Sequence, residues 1–555
     1  MPRNRRRNRS RRPLRLLVLS MAISAVLVGR SQAQTSPFVR RGADPGAQAA
    51  AAAQQQGLQS AAASKLAQKS LQAFQRAAQA RQSLDAVQAA ARAAAQASQA
   101  GVVPDGLGKG GLQLPDGAII DPAAVRSDDP RLGQRNVWLG ARAPTQQVVG
   151  GDTQVTIQQT QKKAILNWET FNVGSRTRLQ FDQSAGGSDA AQWIALNRVN
   201  DPSAAPSKIL GSIQAPGQVY LLNRNGVLFG GASQVNAHSL LVSSLDLFDS
   251  NRALSDQTFL ARGLFGTTGQ SGVVLTGLDG MAAGQTPGDI RIDSGARIAS
   301  GSQGYTLIAA PNVSNAGTVT AQDGQAMLAA VLGLRKSQEL QTLLGTSSGN
   351  SMPLGFSGFF SPTGDRSAVG TLDNSGIVAV TRGNATLAGY SVQQRGLVQA
   401  TTSISRPGSA MLLAINQEST AGGDALANYK GGALELAPGS VTATLPEHDG
   451  ETTTSSSAAD LAFLGPRMIL AGAQVQLREQ SLTFAPGGTV NLIGLGSEAT
   501  RLQGRPQLNN RLMIDSGAQL NVSGIADVQQ AMSSNLVQIP RVGQNELADA
   551  PLQRD

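Results

Sequence analysis

Beyond about residue 115 the apolar positions fall in short runs that stop at Asn or Gly. Val149, Val155 and Ile157 stand among Gln and Thr between 148 and 160, and Lys163 to Trp168 continues the pattern. An apolar period of two is what a strand with one buried face requires. Longer units recur as well. Ile292-Asp-Ser-Gly-Ala-Arg-Ile298 returns as Ile514-Asp-Ser-Gly-Ala-Gln-Leu520, and Asn315-Ala-Gly-Thr-Val319 returns 59 residues later as Asn374-Ser-Gly-Ile-Val378. Short strands closed by Asn-x-Gly or Asp-Ser-Gly corners at a fixed period describe a β-solenoid. The fold class expected is all-β, a right-handed parallel β-helix. The 59-residue recurrence suits three coils of roughly 20 residues each.

That fold accounts for the composition. Coils stack about 4.8 Å apart, so like residues fall over like. Inward Val, Ile, Leu and Ala make continuous ladders, and stacked Asn side chains bond from coil to coil. On this basis residues 271–555 are expected to build about 14 coils, a rod of about 65 Å. An open end coil exposes pairing edges, so a solenoid needs caps. No C-terminal cap is legible before Asp555, which leads us to expect a piece of a longer chain or a truncated copy.

The period changes between Ala43 and Ala100, where Ala and Gln dominate. These are good helix formers, and Leu58, Ala62, Leu66, Leu71 and Phe74 follow helical steps, which predicts one or two loosely attached helices. The glycine-rich stretch Gly101–Pro115 reads as a linker. Its Gly106-Leu-Gly108-Lys-Gly-Gly111 has the form of a dinucleotide fingerprint, but no strand feeds it and no helix follows, so no cofactor is expected.

Charge matters only after the amino terminus is understood. The formal net charge is +10, yet residues 1–33 hold nine arginines and no acid, so the remainder carries +1. Nothing in that balance calls for nucleic acid. The arginine-rich start, the apolar run Leu16–Val28 and Ser31-Gln-Ala33 together read as a Sec signal peptide, and the run is too short to span a bilayer comfortably. Ser10-Arg-Arg-Pro-Leu14 has the form of a twin-arginine signal, but Sec export is the route expected. Cysteine is absent, so an exported chain has neither disulfides nor thiolate metal sites to rely on.

Three ordered blocks carry a resemblance. They are Asn167-Trp-Glu-Thr-Phe-Asn-Val-Gly174, Leu196-Asn-Arg-Val199 and Val219-Tyr-Leu-Leu-Asn-Arg-Asn-Gly-Val-Leu-Phe-Gly230. The series resembles the N-terminal secretion domain of filamentous-haemagglutinin-type exoproteins, the passengers of two-partner secretion. Arg224 departs from the resemblance, standing where the family usually has Pro, while Asn225-Gly226 is kept. The resemblance implies an N-terminal cap, export by an outer-membrane transporter with periplasmic recognition domains, and a secreted or cell-surface location on a Gram-negative-type envelope. It also implies an adhesin-like rod whose receptor is not legible. Carried over by motif, the residues expected to serve recognition or structure are Asn167, Trp168, Phe171, Asn172, Gly174, Asn197, Arg198, Asn223, Asn225, Gly226 and Phe229. The organisation expected is signal peptide 1–33, Ala/Gln-rich helical segment and linker 34–103, secretion domain 104–265, and β-helix 266–555. A different class remains open at this stage, the stalk of a contact-dependent inhibition toxin whose toxic domain lies beyond this chain.

Enzyme chemistry finds few candidates. Gly345-Thr-Ser347-Ser-Gly349 with Asp365 and His448 has the order of a hydrolase triad, but the strand–elbow–helix context is missing. His238 lies in an alternating segment and is expected on a strand surface. A β-helical polysaccharide lyase would need clustered acids, and Asp128, Asp129 and Asp152 do not make a second pair. No catalytic residue, metal or cofactor is expected.

Overall fold

The computed structural model describes residues 45–98, 102–123, 126, 128–247, 251–263, 272–276, 286–336, 356–361, 370–403, 408–418, 429–447, 465–494 and 510–524. Residues 63–555 make one compact body. The expected signal peptide and the triad candidates Ser347, Asp365 and His448 lie outside the described residues.

Three parallel sheets run the length of that body. The first has nine short strands, from Ser207–Ile209 to Arg511–Ile514. The second runs from Asp152–Gln158 to Gln519–Asn521, and the third from Lys163–Trp168 to Thr489–Gly494. From Ser207 on, successive coils add a stretch of strand to each sheet, Ser212–Leu222 and Gln234–Ser243 each serving the second and third at once, which makes the fold a parallel β-helix. The expected ladders are present. Val227, Ile290, Val313, Leu372, Val392, Leu434 and Val475 stack in register and are buried. Beside them Asn315 Nδ2 donates to Asn374 Oδ1 at 2.7 Å, and Asn374 Nδ2 donates to Gln394 Oε1 at 2.6 Å. Buried amides must find partners, and here each coil supplies the next.

The two copies of Asp-Ser-Gly-Ala turn the same corner. Ala296 N–H donates to Asp293 O and Ala518 N–H to Asp515 O, both at 3.1 Å. Gly295 and Gly517 sit at φ +94° and +85°, a region that favours glycine.

Two expectations about the rod require correction. Asn315 and Asn374 lie on directly paired strands, so the 59-residue recurrence is one coil with an insertion between Ala330 and Thr371, not three coils. The uninterrupted step is the next one, from Asn374 to Gln394, 20 residues on. For the same reason the first sheet has seven described strands after residue 271, half the number of coils expected. Insertions leave and rejoin the rod without disturbing the ladder, because closing a longer loop costs only slightly more entropy.

Antiparallel strands close the start of the rod. Thr145–Val149 forms a hairpin with Asp152–Gln158, and Val137–Leu139 pairs with Lys163–Trp168. Parallel edges are thereby covered. The glycine-rich stretch belongs to this cap and is not a free linker. Leu112 is buried and faces Phe171 across an antiparallel pair, and Gly106 N–H donates to Thr177 Oγ1 at 2.9 Å.

A single helix runs from Pro45 to Ser98. Its inner stripe differs from the leucines picked out by sequence. Leu66 and Leu71 are 60% and 50% exposed, whereas Ala73 and Ala77 are buried against the rod. Small side chains let the helix backbone approach a sheet closely, which bulky leucines prevent. Leu58 and Ala62 have side chains outside the described residues.

Candidate functional site

The three blocks meet in the cap, on two sides of it. On one side Asn167 and Trp168 end the strand Lys163–Trp168, directly beside Asn197 and Arg198 of Ile194–Val199. Asn167 Nδ2 donates to Val137 O at 2.8 Å, and its Oδ1 accepts from Arg252 Nη2 at 2.6 Å. Trp168 Nε1 donates to Asn197 Oδ1 at 2.9 Å, and its ring stands edge-on to Trp138, centroids 4.8 Å apart. Asn197 Nδ2 donates onward to Tyr220 O at 3.2 Å. Asn197 therefore joins the second block to the third.

The third block makes the next corner. Asn225 N–H donates to Asn223 Oδ1 and Gly226 N–H to Asn223 O, each at 2.9 Å. Asn223 Nδ2 holds Ser207 Oγ at 3.0 Å. Gly226 alone supplies the positive φ, +96°, and the Asp289 backbone lies where a Cβ would go. Arg224 takes the second turn position, where Pro is favoured. Phe229 is buried between Ile209 and Ile292.

Phe171, Asn172 and Gly174 work on the other side, gripping the glycine-rich segment. Asn172 Nδ2 donates to Gly110 O at 3.0 Å while its Oδ1 accepts from Lys208 N–H at 2.7 Å. A Cβ on Gly174 would stand 2.7 Å from Pro104 O, too close for any side chain.

Arg198 is the electrostatic centre. Its guanidinium is buried, with Nη1 donating to Asp256 and Nε 3.6 Å from Asp246. Asp256 and Arg252 come from a helix, Arg252–Arg262, that motif reading missed. The signal was there: Asn251 accepts from Leu254 N–H as an N-cap, and Gly263 follows the last turn. A cavity of about 380 Å³ opens here, lined by Arg135, Arg198, Asn200, Arg224, Asp246 and Arg252 among others. Burial, reinforced by the Arg198 guanidinium, pushes Arg252 down to about 10. The arrangement is an ionic lock between the cap and its covering helix.

His238 is half-buried on the strand Gln234–Ser243, with Gly301 and Gly304 against it, and burial lowers its pKa. Asp128, Asp129 and Asp152 pair with Arg126, Arg131 and Arg178 in three separate ion pairs.

Fold and site together define a capped, parallel β-helical domain. The TPS secretion domain family matches residues 140–426, and the chain belongs to that family, the exoproteins of two-partner secretion. The chain is 31% identical to the heme/hemopexin-binding protein of Haemophilus influenzae over 119 residues, 20% of this chain and 12% of that protein. A second heme/hemopexin-binding protein, from strain Rd of the same species, is 32% identical over 93 residues, 17% of this chain and 10% of its own length. The matches thus span about a tenth of these relatives' own length. Among solved structures, the secretion domain of HMW1 from Haemophilus influenzae aligns at 18% identity and a TM-score of 0.46, covering 69% of this chain and 82% of that one.

Proposed function

We propose that this chain is a non-enzymatic, adhesin-like exoprotein, exported by an outer-membrane transporter that reads the blocks at 167–174, 196–199 and 219–230. The observation that carries the reading is the burial of the blocks themselves. Asn167, Asn197, Arg198 and Asn223 are each no more than 2% exposed, so a transporter that touches them does so before the cap folds. Once outside, the same side chains fasten the cap, and each further coil buries its aliphatic ladder on the one before. Burial at about 25 cal/mol per Å² of apolar surface then opposes backsliding without a nucleotide-driven motor. Recognition and capping are two uses of one set of residues, separated in time.

The test is release of the full chain, with its own amino terminus, from cells that do or do not carry the cognate transporter. Release should depend on the transporter, and deletion of 167–230 should leave the chain in the periplasm. Efficient release of the deleted chain, or release without the transporter, would overturn the reading.

A further inference from the structure

Residues 70–92 of the long helix lie lengthwise on the outside of the rod. Ser523 Oγ donates to Ser70 Oγ at 2.8 Å, at the last described coil. Phe74 meets Phe484 edge-on, centroids 4.7 Å apart. Further along, Gln88 ties two corners, its Nε2 donating to Ala316 O and its Oε1 accepting from Gly295 N–H, both at 2.6 Å. Arg92 Nη1 donates to Ser233 O at 3.0 Å. The helix therefore reads the coils in the reverse of chain order.

Its length matches what it covers. Seven strand-to-strand steps of the second sheet separate the coil of Gln234 from that of Gln519. At about 4.8 Å each they span about 34 Å. The 22 residue steps from Ser70 to Arg92 rise about 33 Å at 1.5 Å per residue.

Its chemistry changes in step too. One outward column of that sheet reads Gln234, Arg297, Thr318 and then Ile377, Leu397, Val441, Leu482. Gln88 and Arg92 serve the polar end, while Ala73, Ala77 and the partly buried Phe74, Ala80 and Leu84 cover the apolar end. The neighbouring Val378 and Val398 point into the rod's own core, so without the helix the apolar column would face water.

We propose that residues 70–92 are a clasp that closes only on a finished rod, occupying the outer groove made by Ile377, Leu397, Val441 and Leu482. The helix precedes the cap in the chain, but its apolar partners lie on late coils. Until those coils exist, Gln88 and Arg92 have their corners while Ala73, Phe74 and Ala77 have nothing to bury against. Closure then ties the last described coils to the coil of Gln234, so fraying of the former has to break helix contacts as well. This inference goes beyond the export reading and does not depend on it.

Hydrogen exchange on the purified full chain tests it. During refolding, amides of 70–84 should gain protection together with or after those of 441–446 and 482–484. In Ala77→Glu, exchange in strands 377–381, 397–402 and 441–446 should rise about ten-fold or more, and trypsin should cut at Arg76 and Arg81. Strands 177–182 and 212–222 should exchange as before. Glu is a good helix former, so the change reports docking and not helix formation. Gln88→Ala, which removes only the corner bonds, should give a smaller rise in the same direction. Protection of 70–84 before the late coils, or unchanged exchange of the outer strands in Ala77→Glu, would overturn the clasp.

Discussion

Trp168 and Asn197, 29 residues apart, are joined by a buried indole N–H to amide-oxygen hydrogen bond of 2.9 Å. Both neighbours of Asn197, Leu166 on one coil and Leu221 on the next, are aliphatic. The amide therefore has one side-chain partner, and that partner is in another block. Asn197→Ala should leave the indole donor buried and unpaired, a loss of about 1–3 kcal/mol. Chemical denaturation, followed by the fluorescence of Trp138 and Trp168, measures it. An unchanged midpoint would show that the bond contributes nothing to the cap.

The Asn223–Gly226 corner separates two kinds of substitution. Gly226→Val places a β-branched side chain at φ +96° against the Asp289 backbone and should cost about 3 kcal/mol or more. Arg224→Pro occupies a position where Pro is favoured and gives up a long, partly exposed pair with Asp246 at 3.6 Å, so it should shift the thermal midpoint little. The pair of melting curves distinguishes a turn with backbone demands from a stretch read only for its side chains.

Within the rod, Asn374→Leu breaks the amide ladder at its middle. Asn315 Nδ2 and Gln394 Oε1 both lose their partner, and two unsatisfied buried groups should cost about 2–5 kcal/mol. Replacing all three amides by Leu removes those two orphans and strands in their place the buried Gly317 N–H, which donates to Asn315 Oδ1 at 3.1 Å, so the triple change should cost no more than the single one. Thermal unfolding of the single and triple variants decides the order.

Asp246 gives the cap a dependence on acid. Burial opposes its ionisation, but the guanidiniums of Arg198, Arg252 and Arg224 and the Leu247 amide outweigh that and hold the carboxyl below its ordinary range. A carboxyl depressed in the folded state stabilises fully above its unfolded value of about 3.9. That contribution is lost as pH falls through the lower folded value. Asp246→Asn should lower the thermal midpoint at neutral pH and flatten its decline below about pH 4. Arg198→Met, which strands the buried Asp256, should cost more, about 3–5 kcal/mol at neutral pH. Parallel pH profiles for wild type and Asp246→Asn would remove Asp246 from the account.

Much of this protein is local and was therefore legible. An inward Val or Ile every second residue, a Gly where φ turns positive and an Asn at a corner are demands that each short segment meets alone. The parallel β-helix and the Asn223–Gly226 turn followed from them, as did the amide stacking, while the three blocks were legible through their resemblance to a family. The tertiary structure decided what depends on residues far apart in the chain. A ladder records which side chains stack and is indifferent to how much chain lies between them, so a 59-residue interval could hold three coils or one coil with an insertion. Only the pairing of Asn315 with Asn374 chose between these. The partners of Arg198 were hidden for the same reason, since Asp256 arrives on a helix 58 residues later. The face of the long helix was undecided too, because Ala offers no periodic contrast among other alanines. The outward column Ile377, Leu397, Val441 and Leu482 selected it, and that column exists only after the coils have stacked.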